Sequence, residues 1–333
     1  MSLPPLLKDN LRLPIVGSPL FIISNPALVI EQCKAGIVGS FPALNARPAP
    51  MLEEWLQTIT QTLNDYRLAN PNRKIAPFAV NQIVHSSNDR LAHDVEMCRK
   101  FKVPIQITSL RAPDEVVESA HSYGGLVFHD VTNIKHAKRA LQAGVDGLIL
   151  VCAGAGGHAG ALSPFALVSE VREFYDGPIL LSGAIANGAS VLATQAMGAD
   201  LAYMGTRFIA SAEANASAEY KQAIVDSSAE GIVYTNLFTG VHGNYLRSSI
   251  EKAGLDPDNL PVADKSKMNF GSGGSTKAKA WRDIWGAGQS SGPIHDVPAV
   301  SELVDRLEAE YRTARARLLQ SDDEGTKQRS IPT

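Results

Sequence analysis

The stretch VCAGAGGHAG, Val151–Gly160, sets Gly154, Gly156, Gly157 and Gly160 around His158, directly after the apolar run Gly147–Val151. Glycine at this density marks backbone that turns sharply or lies close against another group. Within the stretch, His158 is the side chain able to exchange a proton near neutral pH. Proton transfer at a closely held ligand is the chemistry this pattern suggests, and His158 is the candidate catalytic residue. His85, His93, His121 and His136 lie near helix-like segments or connecting turns and read as structural. His129 ends an apolar run and reads either as lining a site or as packing.

Two further stretches point to an anion. SGAIANG, Ser182–Gly188, and YMGTRF, Tyr203–Phe208, each end an apolar run. Backbone N–H groups at such turns bind phosphate without a basic side chain. Gly183, Gly205 and Thr206 are the expected phosphate contacts, and the Thr206 hydroxyl can add a donor. GAGGHAG does not complete the dinucleotide fingerprint. Gly154 and Gly156 fit its first two glycines, but Ala159 stands at the third position and no acidic residue of clear role follows.

These stretches need a scaffold. Short apolar runs cover Pro14–Gly17, Gly36–Phe41, Pro77–Gln82, Pro104–Thr108, Gly124–His129, Gly147–Val151, Pro178–Ser182 and Leu201–Gly205. Between them lie amphipathic segments, among them Met51–Leu68, Asp89–Phe101, Ile134–Ala143, Pro164–Tyr175 and Ala189–Gly198. Ser163 and Pro164 suit an N-cap followed by proline at the first helical position. Runs such as GLILV and PILLS are continuous rather than alternating, which belongs to parallel strands buried on both faces. Eight β–α units fit a closed (β/α)8 TIM barrel or an open doubly wound sheet. The glycines cluster after the sixth, seventh and eighth runs, where barrels build phosphate sites, so the barrel is expected.

Residues 1–228 are read as the barrel core, with Ala212–Ser228 its last helix. Residues 229–298 are read as an inserted substrate-side or lid region of mixed character, including a Gly/Ser/Lys-rich loop at Lys265–Trp281. Residues 299–333 form a C-terminal extension. It is a helix over Val300–Leu319, with Leu303, Leu307 and Tyr311 at helical spacing, and then a polar tail expected to fray.

The bulk properties narrow the function classes. A chain of 333 residues with 44% apolar and 20% charged residues buries a sizeable core. A net charge of −3 favours neither nucleic acid nor an anionic membrane. Cys33, Cys98 and Cys152 are too scattered for a disulfide scaffold or a metal pair, so no metal is expected and a reducing cytoplasm is the simplest setting. The amino-terminal segment is broken by prolines and carries Lys8, Asp9 and Arg12, so it does not read as a signal peptide. The charged helix after Val300 suits packing on the barrel or on a partner, which leaves a homo-oligomer open.

AGGHAG, SGAIANG and MGTRF, in this order and spacing, resemble the nitronate monooxygenase family, once called 2-nitropropane dioxygenases. PIVGSPLFIISNPAL resembles that family's opening strand and turn, and GAGQSSG, Gly286–Gly292, resembles its late loop. The resemblance implies a barrel that holds FMN without a covalent bond. It assigns Gly183, Gly205 and Thr206 to the phosphate and brings Gly156 and Gly157 close to the cofactor. Asn81 and Gln289 become flavin contacts, the Pro19-Leu20 backbone lies near the ring edge, and His158 becomes the catalytic histidine. The implied reaction oxidises an alkyl nitronate, or its parent nitroalkane, with O2 to a carbonyl compound and nitrite. A His158 pKa near 6.5 would make either a protonated anion-holding role or a neutral basic role accessible. An NAD(P)H-dependent FMN reductase of the quinone or enoyl-acyl-carrier-protein type, and a non-flavin sugar-phosphate barrel, are the alternatives. The chain departs from the family at Leu20, where many members have methionine. It departs again at Asp130, where some relatives have lysine; an aspartate cannot offset negative charge on reduced flavin.

Overall fold

The structure is a computed structural model in which residues 3–263 and 283–327 are described, with side chains described through residue 320. The expected loop at Lys265–Trp281 lies outside the described residues. The strands are β1 (Ile15–Gly17), β2 (Gly39–Pro42), β3 (Phe78–Val84), β4 (Ile105–Leu110), β5 (Leu126–Val131), β6 (Gly147–Val151), β7 (Gly157–His158), β8 (Ile179–Ser182), β9 (Leu201–Met204), β10 (Ile232–Thr235) and β11 (Gly243–Leu246). The helices are α1 (Pro5–Lys8), α2 (Pro26–Lys34), α3 (Met51–Ala69), α4 (Leu91–Lys100), α5 (Asp114–His121), α6 (Ile134–Gln142), α7 (Pro164–Arg172), α8 (Gly188–Ala196), α9 (Thr206–Ile209), α10 (Ala218–Val225), α11 (Arg247–Lys252) and α12 (Val300–Lys327).

Eight strands run parallel in the order β1-β9-β8-β6-β5-β4-β3-β2. A parallel bridge from Val16 to Val38 brings β1 against the entry to β2 and closes the ring. The expected (β/α)8 barrel is therefore the fold, and all eight apolar runs are its strands. Burial on both faces explains their continuous apolar character. One face fills the interior with Val16, Val38, Ala79, Ile105, Ile107, Phe128, Ile149, Leu180 and Leu201. The other, with Leu148, Leu150, Ile179 and Leu181, packs under the helices against Leu167, Val168 and Val191.

Side chains on a strand alternate between faces. Two residues beyond the apolar interior layer, the inner positions therefore become Ser18, Ser40, Asn81, Ser109, Asp130, Val151, Ser182 and Tyr203. All but Val151 carry a polar group. The interior thus changes from hydrocarbon to a polar floor within one layer, at the C-terminal mouth of the barrel.

Outside the barrel, β10 and β11 form an antiparallel hairpin that pairs with β7. The expected last barrel helix over Ala212–Ser228 is shorter, Ala218–Val225. Asn215 is held in the preceding loop, where its backbone N–H and its Nδ2 both donate to the Ile22–Ile23 turn at 3.0 Å. Ser217 then caps the helix by accepting from Tyr220 N. At α7 the expected Ser163 N-cap has extended backbone with Pro164 behind it, but its hydroxyl makes no capping bond. The final helix runs past Leu319 to Lys327 rather than fraying at Gln320. No proline interrupts that run. Among the described residues, no helix is long and apolar enough to cross a membrane.

Candidate active site

The glycine stretches meet at one corner of the mouth. Gly183 follows β8 with φ +143°, and a Cβ there would lie 2.7 Å from Ala153 O. Ala184, next in the chain, also has positive φ, at 53°, a conformation L-residues seldom adopt. Gly205 follows β9, packed against Ser18 Oγ and the Leu20 side chain, and caps the short helix α9 without a side-chain bond. The N–H groups of Gly183, Ala184, Gly205 and Thr206 have no hydrogen-bond acceptor among the described residues. Such a set of open donors is what an anion requires.

The late loop closes this corner. Gly288 N donates to Thr206 Oγ1 at 2.8 Å, and Gln289 N donates to Gly154 O at 2.9 Å. Gly288 and Gly156 lie so close that a Cβ on Gly156 would stand 2.8 Å from Gly288 N and 3.0 Å from Thr206 Oγ1. With Thr206 Oγ1 accepting from the loop, its own hydrogen is left to donate. Arg207, buried next to Thr206, turns away and binds Asp296. Its charge therefore anchors the chain before α12 rather than serving the corner.

His158 lies on the same rim, where β7 pairs with β11 opposite Gly243. A loop was the expectation for this stretch. Pairing is possible because Gly243 has no side chain; a Cβ there would meet Gly157 O at 2.7 Å. His158 Nε2 is 2.9 Å from Thr239 Oγ1. That hydroxyl lies 3.0 Å from Val241 O and accepts from Val241 N at 3.2 Å. The hydroxyl can donate to the ring or accept from it, so the contact holds the imidazole in place in either tautomer. Burial pushes the imidazole down to about 4. The sequence-based expectation of a value near 6.5 is corrected accordingly, and the group is neutral at physiological pH.

The opposite side of the mouth is built from side chains. Asn81 Nδ2 donates to Ser109 Oγ at 3.0 Å, and Ser109 Oγ donates to Asp130 Oδ2 at 2.6 Å. Burial pushes the Asp130 carboxyl up to about 6, against a smaller lowering by Ser109. Tyr203, on the facing strand β9, has its phenol pushed well above its usual value by burial and then by the Asp130 charge. His129 points outward, its Nδ1 2.8 Å from Thr108 Oγ1, so it packs between sheet and helices rather than lining the mouth.

Of the residues singled out in the sequence, Leu20, Gly156, Gly183, Gly205, Thr206 and Gln289 converge on one corner, with Pro19 in the turn that carries Leu20. Gly157 and His158 adjoin that corner through β7, and Asn81 stands apart, on the polar floor. Sequence reading missed Thr239, Ser109 and Tyr203. Thr239 is 81 residues from His158, and nothing local marks it. Ser109 and Tyr203 could have been found by carrying the two-residue strand alternation one step past the apolar interior.

Residues 12–310 match the family model described as nitronate monooxygenase. The chain is 25% identical to a nitronate monooxygenase of Paraburkholderia phytofirmans, over 92% of this chain and 94% of the relative. A probable nitronate monooxygenase of Staphylococcus saprophyticus is 30% identical over 84% of this chain and 90% of its own length. Among solved structures, nitroalkane oxidase from Streptomyces ansochromogenes superimposes with a TM-score of 0.74 at 24% identity, covering 94% of this chain and 99% of that one. That last likeness is one of fold.

Proposed function

The chain belongs to the nitronate monooxygenase family, and on that premise we propose that it is an FMN-dependent oxidoreductase that converts alkyl nitronates, with O2, to carbonyl compounds and nitrite. The observation that carries this reading is the convergence of the glycine turns and a neutral imidazole on one rim of the barrel. The residues present fit the cofactor. The open N–H groups of Gly183, Ala184, Gly205 and Thr206 suit a phosphate, and the Thr206 hydroxyl adds a donor. Gly156 is exposed beside them, so backbone and not a side chain faces the ligand. Gln289 and Leu20 border the same corner, and Asn81 would contact the ring from the floor.

Bound there, FMN would accept electrons from the organic substrate and pass them to O2, the part of the chemistry that protein side chains cannot supply. His158 handles the proton. Neutral, and held at Nε2 by Thr239, it can take the α-proton of a nitroalkane on its unprotonated ring nitrogen: the C–H bond breaks, its electron pair moves onto the nitro group, and the imidazole becomes imidazolium. The cation so formed lies beside the new nitronate. Residues 229–298 supply Thr239 and the late loop, and they are read as the substrate-side region of the same domain.

The purified protein should be yellow and release FMN on heating. With ethyl nitronate it should consume O2 and form acetaldehyde and nitrite. A colourless protein that does not take up added FMN removes the flavin reading. Rapid bleaching of bound FMN by NADH under anaerobic conditions, without nitronate turnover, would assign it instead as a reductase.

A further inference from the structure

The turn that carries Leu20 holds a backbone conformation that its residues do not favour. Ile22 has φ 68°, the left-handed region that a β-branched side chain avoids. Its side chain is 41% exposed, so its own burial does not account for the strain. Hydrogen bonds from outside the turn do. The Asn45 side chain engages the turn at three points: Oδ1 accepts from Ile22 N, and Nδ2 donates to Leu20 O and to Ser24 O, each at 2.9 Å. This orientation of the amide is forced, because a backbone N–H only donates and a carbonyl only accepts. From a second loop, Asn215 Nδ2 donates to Ile22 O at 3.0 Å. Asn45 is itself fixed. It ends the short 3-10 turn Ala43–Asn45 after β2, and the buried Arg90, paired with Asp94 at 2.9 Å, donates to Ala46 O at 2.7 Å.

What the turn delivers is Leu20. Its Cδ2 lies 3.2 Å from the place a Cβ would take on Gly205, the residue that caps α9 at the anion corner. Leu20 therefore walls that corner, and the hold on its turn sets how close the wall stands. Strain that persists because its surroundings over-determine it is found where a shape must be ready in advance. We propose that Asn45 is a positioning residue: it holds the strained turn Leu20–Ser24 so that Leu20 stays against Gly205 and the cradle keeps its binding shape before the ligand arrives. This rests on the reading of the corner as the FMN site. Asn45 acts through the turn, by removing from FMN binding the cost of ordering that wall.

The test titrates the flavin-free full chain with FMN and follows flavin fluorescence. Asn45→Ala should weaken FMN binding about tenfold, the loss expected when the released turn keeps the binding shape about a tenth of the time. Adding Ile22→Gly to that variant should recover most of the loss, because glycine takes this φ without strain. Asn215→Ala removes one bond to the turn and should weaken binding about threefold by the same relation. If Asn45 only supports the fold, its variant melts at a lower temperature while FMN affinity stays unchanged; that result overturns the proposal. An Asn45→Ala loss that Ile22→Gly does not reduce overturns it as well. Should Asn45→Ala fail to fold, Asn215→Ala decides: weaker FMN binding upholds the role of the clamp, and unchanged binding removes it. Wild type that takes up no FMN removes the flavin reading and this role together, whereas wild-type uptake with unaffected variants removes this role alone.

Discussion

The two sides of the barrel mouth are made from different materials. On the β8–β9 side the groups facing outward are backbone N–H donors, and the neighbouring loops lie so close that a single added carbon would collide with main chain. On the β3–β5 side the groups are side chains, joined as Asn81, Ser109 and Asp130, each able to change without disturbing the backbone. A backbone cradle offers fixed partial charges and shape. A side-chain floor offers an adjustable charge. The first suits a ligand part that is always the same, such as a phosphate; the second suits the part on which specificity depends.

His158 borders the cradle, and its loss should have the largest effect. His158→Asn should lower nitroalkane turnover about 10²–10⁴-fold, the usual share of a positioned base, with FMN still bound. Flavin loss in that variant would show that the imidazole shapes the cradle. The acid limb of wild-type kcat/KM for a nitroalkane should fall near 4 rather than 6.5, since the neutral imidazole is the active form.

Gly156→Ala attacks the cradle itself. The new carbon meets Gly288 N at 2.8 Å, and main chain held by two hydrogen bonds cannot step aside. Overpacking of this kind costs about 1–3 kcal/mol, or roughly a tenfold to hundredfold loss of FMN affinity in a fluorescence titration. Gly205→Ala is the control. Its nearest obstacle is Ser18 Oγ, at 2.8 Å, a side-chain end that can rotate away, so the loss should be smaller. Equal losses would remove the distinction between backbone and side-chain neighbours.

On the floor, Ser109→Ala strips Asp130 Oδ2 of its donor and leaves Asn81 Nδ2 with a long contact, 3.4 Å, to Ile107 O. An unsatisfied buried polar group costs about 1–3 kcal/mol, which thermal unfolding should register at the lower end.

The subtlest difference between the two sides is the pH dependence of stability. Asp130 titrates at about 6 in the folded chain against an ordinary 3.8, so between those values the native state holds a proton that the unfolded chain has released. Its contribution is complete below 3.8 and is lost as pH rises through 6. His158 behaves oppositely: at about 4 against 6.5, its contribution is complete above 6.5 and is lost as pH falls through 4. Denaturant titrations should therefore show wild type losing stability relative to Asp130→Asn as pH rises across that interval, and gaining relative to His158→Asn. Slopes of the same sign would mean that burial does not shift the two groups in opposite directions.

Much of this architecture is legible in the sequence for a local reason. Gly147–Val151 and Pro178–Ser182 read as buried strands because a strand covered on both faces must be apolar at every position. Ser182–Gly188 reads as a turn and helix start because left-handed backbone selects glycine, and Asn187 then caps α8 through a reciprocal bond with Ser190. The hairpin that reaches β7 is not legible in this way. Glu230–Leu260 has no strong period, and its pairing depends on Gly243 lying opposite His158, far away in the chain.

The amino-acid sequence by itself determined the eightfold strand–helix alternation, the glycine turns and the identity of the lone imidazole among them, since each answers a demand made within a few residues. Tertiary structure alone decided that Thr239 holds the His158 ring, how far the proton affinity of that ring falls, and that Asn81, Ser109 and Asp130 form one directed chain. Those properties depend on solvent exclusion and on hydrogen-bond partners. Both arise only when segments far apart in the chain close around the same few atoms.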